Sequence, residues 1–163
     1  MNTSLIIVCS IMVCVIFSPY FLFNMSKNSH KSQIKDVLLK NNLKIAQSET
    51  WASFYIGIDE IQKKLIFLIF KGKEVEEQII DIKNVKECQI VEKRKFFKIK
   101  DKQDSVLEHL NLHLNLNNGE VLDLVFFDTN LNYKEDFELK RIEKWKFIIT
   151  SLITQERNAK KAA

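Results

Sequence analysis

The sequence predicts a mainly β domain closed by one long C-terminal helix, an α+β arrangement, preceded by a single transmembrane helix. Three observations carry that expectation. The first 26 residues of the 163 contain no Asp, Glu, Lys or Arg, although 28% of the chain is charged. From Trp51 to Phe127 apolar residues alternate, or fall in short runs bounded by turn residues. After Asp128 the apolar period changes to 3.6.

The 19 residues from Leu5 to Phe23 are nearly all apolar. As a helix they reach roughly 28 Å, close to the bilayer core of about 30 Å. A cleaved signal peptide fits less well, because the n-region Asn2-Thr3-Ser4 is uncharged, the apolar stretch is long and no Ala-x-Ala pattern follows. Cys9 and Cys14 lack the small residues that precede a lipidated cysteine. A buried soluble helix would show a polar face, and this stretch has none. Ser18-Pro19 would kink or end the helix, with Tyr20 at the interface. Lys27, Lys31 and Lys35 crowd the C-terminal flank, which places the domain on the cytoplasmic side. These lysines either attract anionic headgroups or only set topology. The expected division is residues 1–25 as the membrane helix, 26–50 as a juxtamembrane spacer, 51–156 as the domain and 157–163 as a frayed tail.

Within the spacer, Ile34, Val37 and Leu38 have helical spacing, so a short amphipathic helix is expected from Ser32 to Asn41, broken by Asn41-Asn42. Phe54, Ile56 and Ile58 alternate with Tyr55, Gly57 and Asp59 as a strand, and Asp59 to Lys63 is a turn. Leu65 to Phe70 is apolar on both faces, so protein should cover each. Lys71-Gly72-Lys73 closes it. Ile79–Ile82 and Val85–Val91 flank Lys83-Asn84 as two further runs. Phe96, Phe97 and Ile99 mark a short run inside a basic stretch.

Leu110, Leu112, Leu114 and Leu116 share one strand face, and Leu122, Leu124 and Phe126 share one face of the next. A two-residue turn would mix those faces. A three-residue loop, Asn117-Asn118-Gly119, pairs Leu114 with Leu122, Leu112 with Leu124 and Leu110 with Phe126. It wants glycine in the left-handed region at its third position, where Gly119 stands. Ile142, Trp145, Ile149 and Leu152, flanked by Ile148 and Ile153, then form one helical stripe. Asn132 with Glu135 resembles a capping box, so the helix is expected from Tyr133 to Glu156.

This order resembles the pleckstrin-homology-like domains of small bacterial proteins. The carrying residues are Phe54-Tyr55-Ile56-Gly57-Ile58-Asp59-Glu60 followed by Lys63-Lys64-Leu65-Ile66-Phe67, the step Asp81-Ile82-Lys83-Asn84-Val85, and Glu143-Lys144-Trp145. The match covers roughly Leu43 to Gln155. The resemblance implies an antiparallel β-barrel or pair of curved sheets capped by a long helix. It also implies binding of peptides, lipids or other copies, with no shared active site. Phosphoinositide binders of this fold use basic residues on the first hairpin, and only Lys63 and Lys64 fall near there.

Chemistry is sparse. His109 and His113 lie four apart on the polar face of a strand, about 13 Å from each other, too far to share a metal. Lys93, Arg94, Lys95, Lys98, Lys100 and Lys102, with Phe96 and Phe97, form the densest basic run. It is either a headgroup-facing loop or a solvated strand whose phenylalanines enter the core. Cys88 sits in an apolar run, as a buried structural thiol would. There is no glycine-rich phosphate loop, nucleophile elbow or Cys-x-x-Cys. No catalytic residue, cofactor or metal is expected.

The formal net charge of +4 lies entirely after Ser26 and is too dispersed for a nucleic-acid partner. The expected function is a membrane-tethered, non-catalytic interaction module whose partners are the bilayer and an unknown protein or peptide. The candidate membrane-facing residues are Lys27, Lys31, Lys35, Lys93, Arg94, Lys95 and Lys98. An anionic-lipid-binding module of the inner leaflet and an exported domain behind an uncleaved signal anchor are the alternatives.

Overall fold

The computed structural model describes residues 11–17, 30–72, 74–99, 102–131 and 137–162. The chain divides into two compact units, Met1–Leu43 and Lys44–Ala163.

In the first unit, residues 11–17 are helical and exposed, and residues 30–40 form helix α1. Most of the stretch expected as a membrane helix, with Lys27, lies outside the described residues. Among the described residues no helix is long and apolar enough to cross a membrane. Helix α1 ends in a Schellman motif. Asn42 adopts φ 50°, Leu43 N–H donates to Leu38 O at 3.0 Å, and Asn42 N–H donates to Leu39 O at 3.1 Å. Asparagine tolerates that left-handed φ better than other side chains, so the break falls where the Asn pair marks it.

The second unit holds two antiparallel sheets. Strands β1 (Gln47–Trp51), β2 (Phe54–Asp59), β3 (Lys64–Lys71) and β4 (Glu74–Asp81) form one sheet in chain order. Strands β5 (Val85–Ile99), β6 (Lys102–Leu116) and β7 (Val121–Asp128) form the other. A single 3₁₀ turn, Ile82–Asn84, carries the chain between them, capped by the Asp81 carboxylate on Lys83 N–H. Helix α2 (Glu138–Ala162) closes the unit. The expected α+β class is therefore present. The barrel is not: among the described residues no backbone ladder joins the two sheets. The 3₁₀ turn redirects the chain from one sheet into the other, so β4 and β5 diverge instead of pairing.

The core lies between the sheets and under α2. Phe54, Ile56, Ile58, Leu65 and Phe67 meet Leu110, Leu112, Leu114, Leu124 and Phe126, and Ile142, Trp145 and Ile149 enter from the helix. Burying a side chain of this size stabilises by roughly 1.5–3 kcal/mol. Trp51, Phe54, Phe67 and Phe126 form an aromatic group, with Trp51 stacked on Phe126 at 5.0 Å between ring centroids. The Trp51 indole N–H also donates to Phe126 O at 3.1 Å, a side-chain bridge between the sheets. All six apolar residues of β3 are buried, so both faces are covered as its run of apolar residues requires.

The last hairpin has the expected three-residue loop. Leu116 N–H donates to Glu120 O at 2.8 Å, and Gly119 has φ 90°. Leu114 pairs Leu122 and Leu112 pairs Leu124. Leu110 pairs Phe127 and not Phe126, because a bulge inserts one extra residue. The bulge lets the consecutive residues Phe126 and Phe127 both join the same core, whereas regular alternation would turn them to opposite faces. The runs expected as separate strands around Val85–Val91 and Phe96–Ile99 are one strand of 15 residues. Strand β1 was not expected from the sequence, because QSETW is a polar edge with one buried side chain. Helix α2 continues to Ala162, past the expected fraying point. The Asn132–Glu135 capping pair lies outside the described residues.

Candidate functional site

Strands β5 and β6 outrun their sheet. Strand β7 stops at Asp128, opposite His109, whereas β5 and β6 stay paired for six more rungs, from Arg94↔Leu107 to Ile99↔Lys102. Those rungs form a two-stranded arm roughly 20 Å long. Among the described residues neither arm edge has a neighbouring strand. The arm starts at a bulge. Lys93 pairs His109 and Arg94 pairs Leu107, which leaves Glu108 as the extra residue. Its carbonyl accepts Thr129 N–H at 3.2 Å, so the bulge sits where the third strand ends. Bulges bend and twist a strand pair, which re-aims what lies beyond them.

The basic run occupies this arm. Lys93 Nζ pairs with Glu108 at 2.9 Å, and this contact holds the Glu108 carboxyl below its ordinary range. Arg94 pairs with Glu92 on the same face of β5. Lys95 and Lys98 are exposed and make no ion pair with another described residue within 4.0 Å. Phe96 is 65% exposed, and Phe97 is half-buried. Neither phenylalanine enters the core, because the core on this side ends at Leu107. The alternation puts Arg94, Phe96 and Lys98 on one face and Lys93, Lys95 and Phe97 on the other.

The candidate basic residues therefore divide between the two units. Arg94, Lys95 and Lys98 are brought together on the arm, with Lys93 at its base. Lys31 and Lys35 are exposed and one turn apart on α1, in the other unit.

His109 and His113 face solvent from β6 and meet carboxylates across the hairpin. His109 Nδ1 lies 3.5 Å from Asp128 Oδ2, and His113 Nε2 lies 3.0 Å from Asp123 Oδ1. Each histidine has its own aspartate. Among the described residues no three His, Cys, Asp or Glu side chains gather as a metal site would require. Cys88 is buried in the core, and burial pushes its thiol up to about 12. A thiol so held is neutral and unreactive. A cleft of about 270 Å³ is lined by Asn84, Leu116, Asn117 and Asn118, none of which is an acid or base.

Two carboxylates have partners that the residue pattern does not announce: Glu49 lies in a polar strand, and Asp59, at a turn where a solvated charge is expected, is buried. Glu49, on β1, accepts hydrogen bonds from Arg141 Nε at 2.8 Å, Lys144 Nζ at 2.9 Å and Trp145 Nε1 at 3.0 Å. Arg141 also lies over the Trp51 ring, 5.0 Å from its centroid. Burial raises the Glu49 pKa, but the Lys144, Arg141 and Trp145 hydrogen bonds outweigh it and hold the carboxyl below its ordinary value. Asp59 is buried and accepts the backbone N–H groups of Lys44, Ile61 and Gln62 at 2.7–2.9 Å. Burial raises its pKa too, and those three bonds, with Lys64 nearby, bring the net shift below the ordinary value. Both carboxylates are structural: one pins α2 to β1, and the other closes the β2–β3 turn. The helical stripe around Trp145 was a signal that some strand must meet the helix. It did not say which strand.

No family model, curated protein or solved structure matches the chain.

Proposed function

We propose that the chain is a membrane-tethered, non-catalytic interaction module whose domain has a pleckstrin-homology-like architecture and sits on the cytoplasmic side. The arm is the observation that carries the interaction role. It extends past the three-stranded sheet, leaves both edges free among the described residues and exposes Phe96 between cations. An isolated two-stranded ribbon is marginal in water, so it gains from a surface to lie against. Two sheets in the order β1–β4 and β5–β7, closed by one helix, are compatible with the resemblance. The tether rests on the charge-free stretch Leu5–Phe23, and the side of the membrane on Lys27, Lys31 and Lys35. The non-catalytic role rests on the pairwise use of the histidines and on the burial of the Cys88 thiol.

Alkaline carbonate extraction of membranes tests the tether. The full chain should stay in the pellet, and a chain with Val13→Lys and Ile16→Lys should leave it. Protease protection of a tag after Ala163 tests the side. Wild-type protein released by carbonate, or a mature chain starting after Phe23, overturns the tethered reading. Labelling Cys88 would not report topology, because its thiol is buried.

A further inference from the structure

We propose that the β5–β6 arm docks on a bilayer surface rich in anionic lipid, with Phe96 entering the interface, Lys98 against the headgroups on the same face and Lys95 reaching them from the opposite face. This deepens the tethered-module reading and names the arm's partner.

The charge pattern selects that partner. Between Glu92 and Glu108 the chain carries six cations and four carboxylates. The carboxylates of Glu92 and Glu108 sit at the arm's base, where they pair with Arg94 and Lys93. Beyond that base, β5 carries no carboxylate. Asp104, on β6, faces Phe97 across the arm and accepts Ser105 N–H at 2.8 Å. The outer part of β5 therefore presents Lys95 and Lys98 with no described ion pair, and an exposed aromatic ring between them in sequence. Cations near an anionic leaflet gain about 1 kcal/mol each, roughly fivefold in partition. An aromatic ring flanked by cations matches the layer where apolar and charged groups coexist.

The same pattern disfavours strand addition to the arm. Lysine along a free edge opposes pairing with another strand, since each incoming chain must desolvate or displace it. A lipid surface needs no pairing and accepts the lysines as they stand. Glu92, Arg94, Phe96 and Lys98 share one face, and Glu92 pairs Arg94 at the arm's base, so ring insertion brings Lys98 to the headgroup plane.

Phe96→Trp, placed in the full chain and reconstituted into vesicles, reads the arm directly. Trp51 and Trp145 are buried in the core and stay dark to a lipid quencher. In vesicles with about one-third phosphatidylserine, emission from the introduced indole should move to the blue and be quenched by brominated lipid. In phosphatidylcholine alone it should do neither. Raising salt to about 0.5 M should reverse the effect. Lys95→Gln with Lys98→Gln should shift the docked population by about thirtyfold. Hydrogen exchange of the wild-type chain over residues 94–107 repeats the test without substitution, and protection should appear only with the anionic vesicles. Equal emission and equal exchange in the two vesicle types overturn the proposal. So does shielding that follows protein concentration and not lipid charge, which would mark a second copy as the occupant. Flotation with neutral vesicles reads the tether separately, so the two failures are distinguishable.

Discussion

Replacing Glu49 by alanine removes the one acceptor shared by Arg141, Lys144 and Trp145. The three bonds differ in worth. Lys144 is exposed, and an exposed ion pair contributes between nothing and about 1 kcal/mol. Arg141 is mostly buried, and a charge-assisted bond of that kind is worth about 2 kcal/mol. The Trp145 indole N–H loses its acceptor in a side chain only 1% exposed, which costs about 1 kcal/mol. The total is about 3 kcal/mol. For a unit of this size that lowers Tm by roughly 12 °C. Near-UV circular dichroism is the suitable assay, because Trp51 and Trp145 both report on this junction. Glu49→Gln keeps an acceptor and should lose about half as much. The sign with pH follows from the depressed pKa. The folded carboxyl titrates below its ordinary value of 4.5, so its contribution is complete above that pH. It disappears as pH falls through the folded pKa. Wild-type protein should therefore lose stability over that acid window more steeply than Glu49→Gln. A Glu49→Ala protein within about 0.5 kcal/mol of wild type would refute the idea that this carboxylate holds α2 to β1.

Asp59→Ala should cost about 3 kcal/mol by denaturant melting, because three backbone N–H groups lose their acceptor at once. In a Cys9→Ser, Cys14→Ser background, Cys88 should resist an aromatic disulfide reagent at pH 8 until the domain unfolds, since its thiol titrates near 12. Gly119→Ala should destabilise the β6–β7 hairpin by about 1 kcal/mol and Gly119→Asn by less, because φ is 90° there and asparagine tolerates positive φ better. Leu112→Ala, at a fully buried position between the sheets, should cost about 3 kcal/mol in the same melts.

Where a segment is strongly periodic, periodicity gave its type and its buried face; it missed the polar strand β1 and split β5 in two. The leucine ladder placed Leu112 opposite Leu124 and Leu114 opposite Leu122, because a slip of one residue would turn every leucine to water. The stripe of Ile142, Trp145 and Ile149 announced a helix with one buried side, and the Asn pair ended α1. Periodicity is silent on what lies across the gap. It could not reveal that β4 and β5 part company or that Phe126 becomes a bulge residue. Nor could it show that Glu49, in a polar edge strand, would be the acceptor for three side chains more than 90 residues away. The basic run was plain in the residues. Its place on an arm was not, because that depends on β7 ending at Asp128 while its neighbours continue. Alternation and helical stripes arise from each segment meeting water on one side. Pairings between distant segments arise from where the chain returns, and only the assembled core selects among the returns that bury the same side chains.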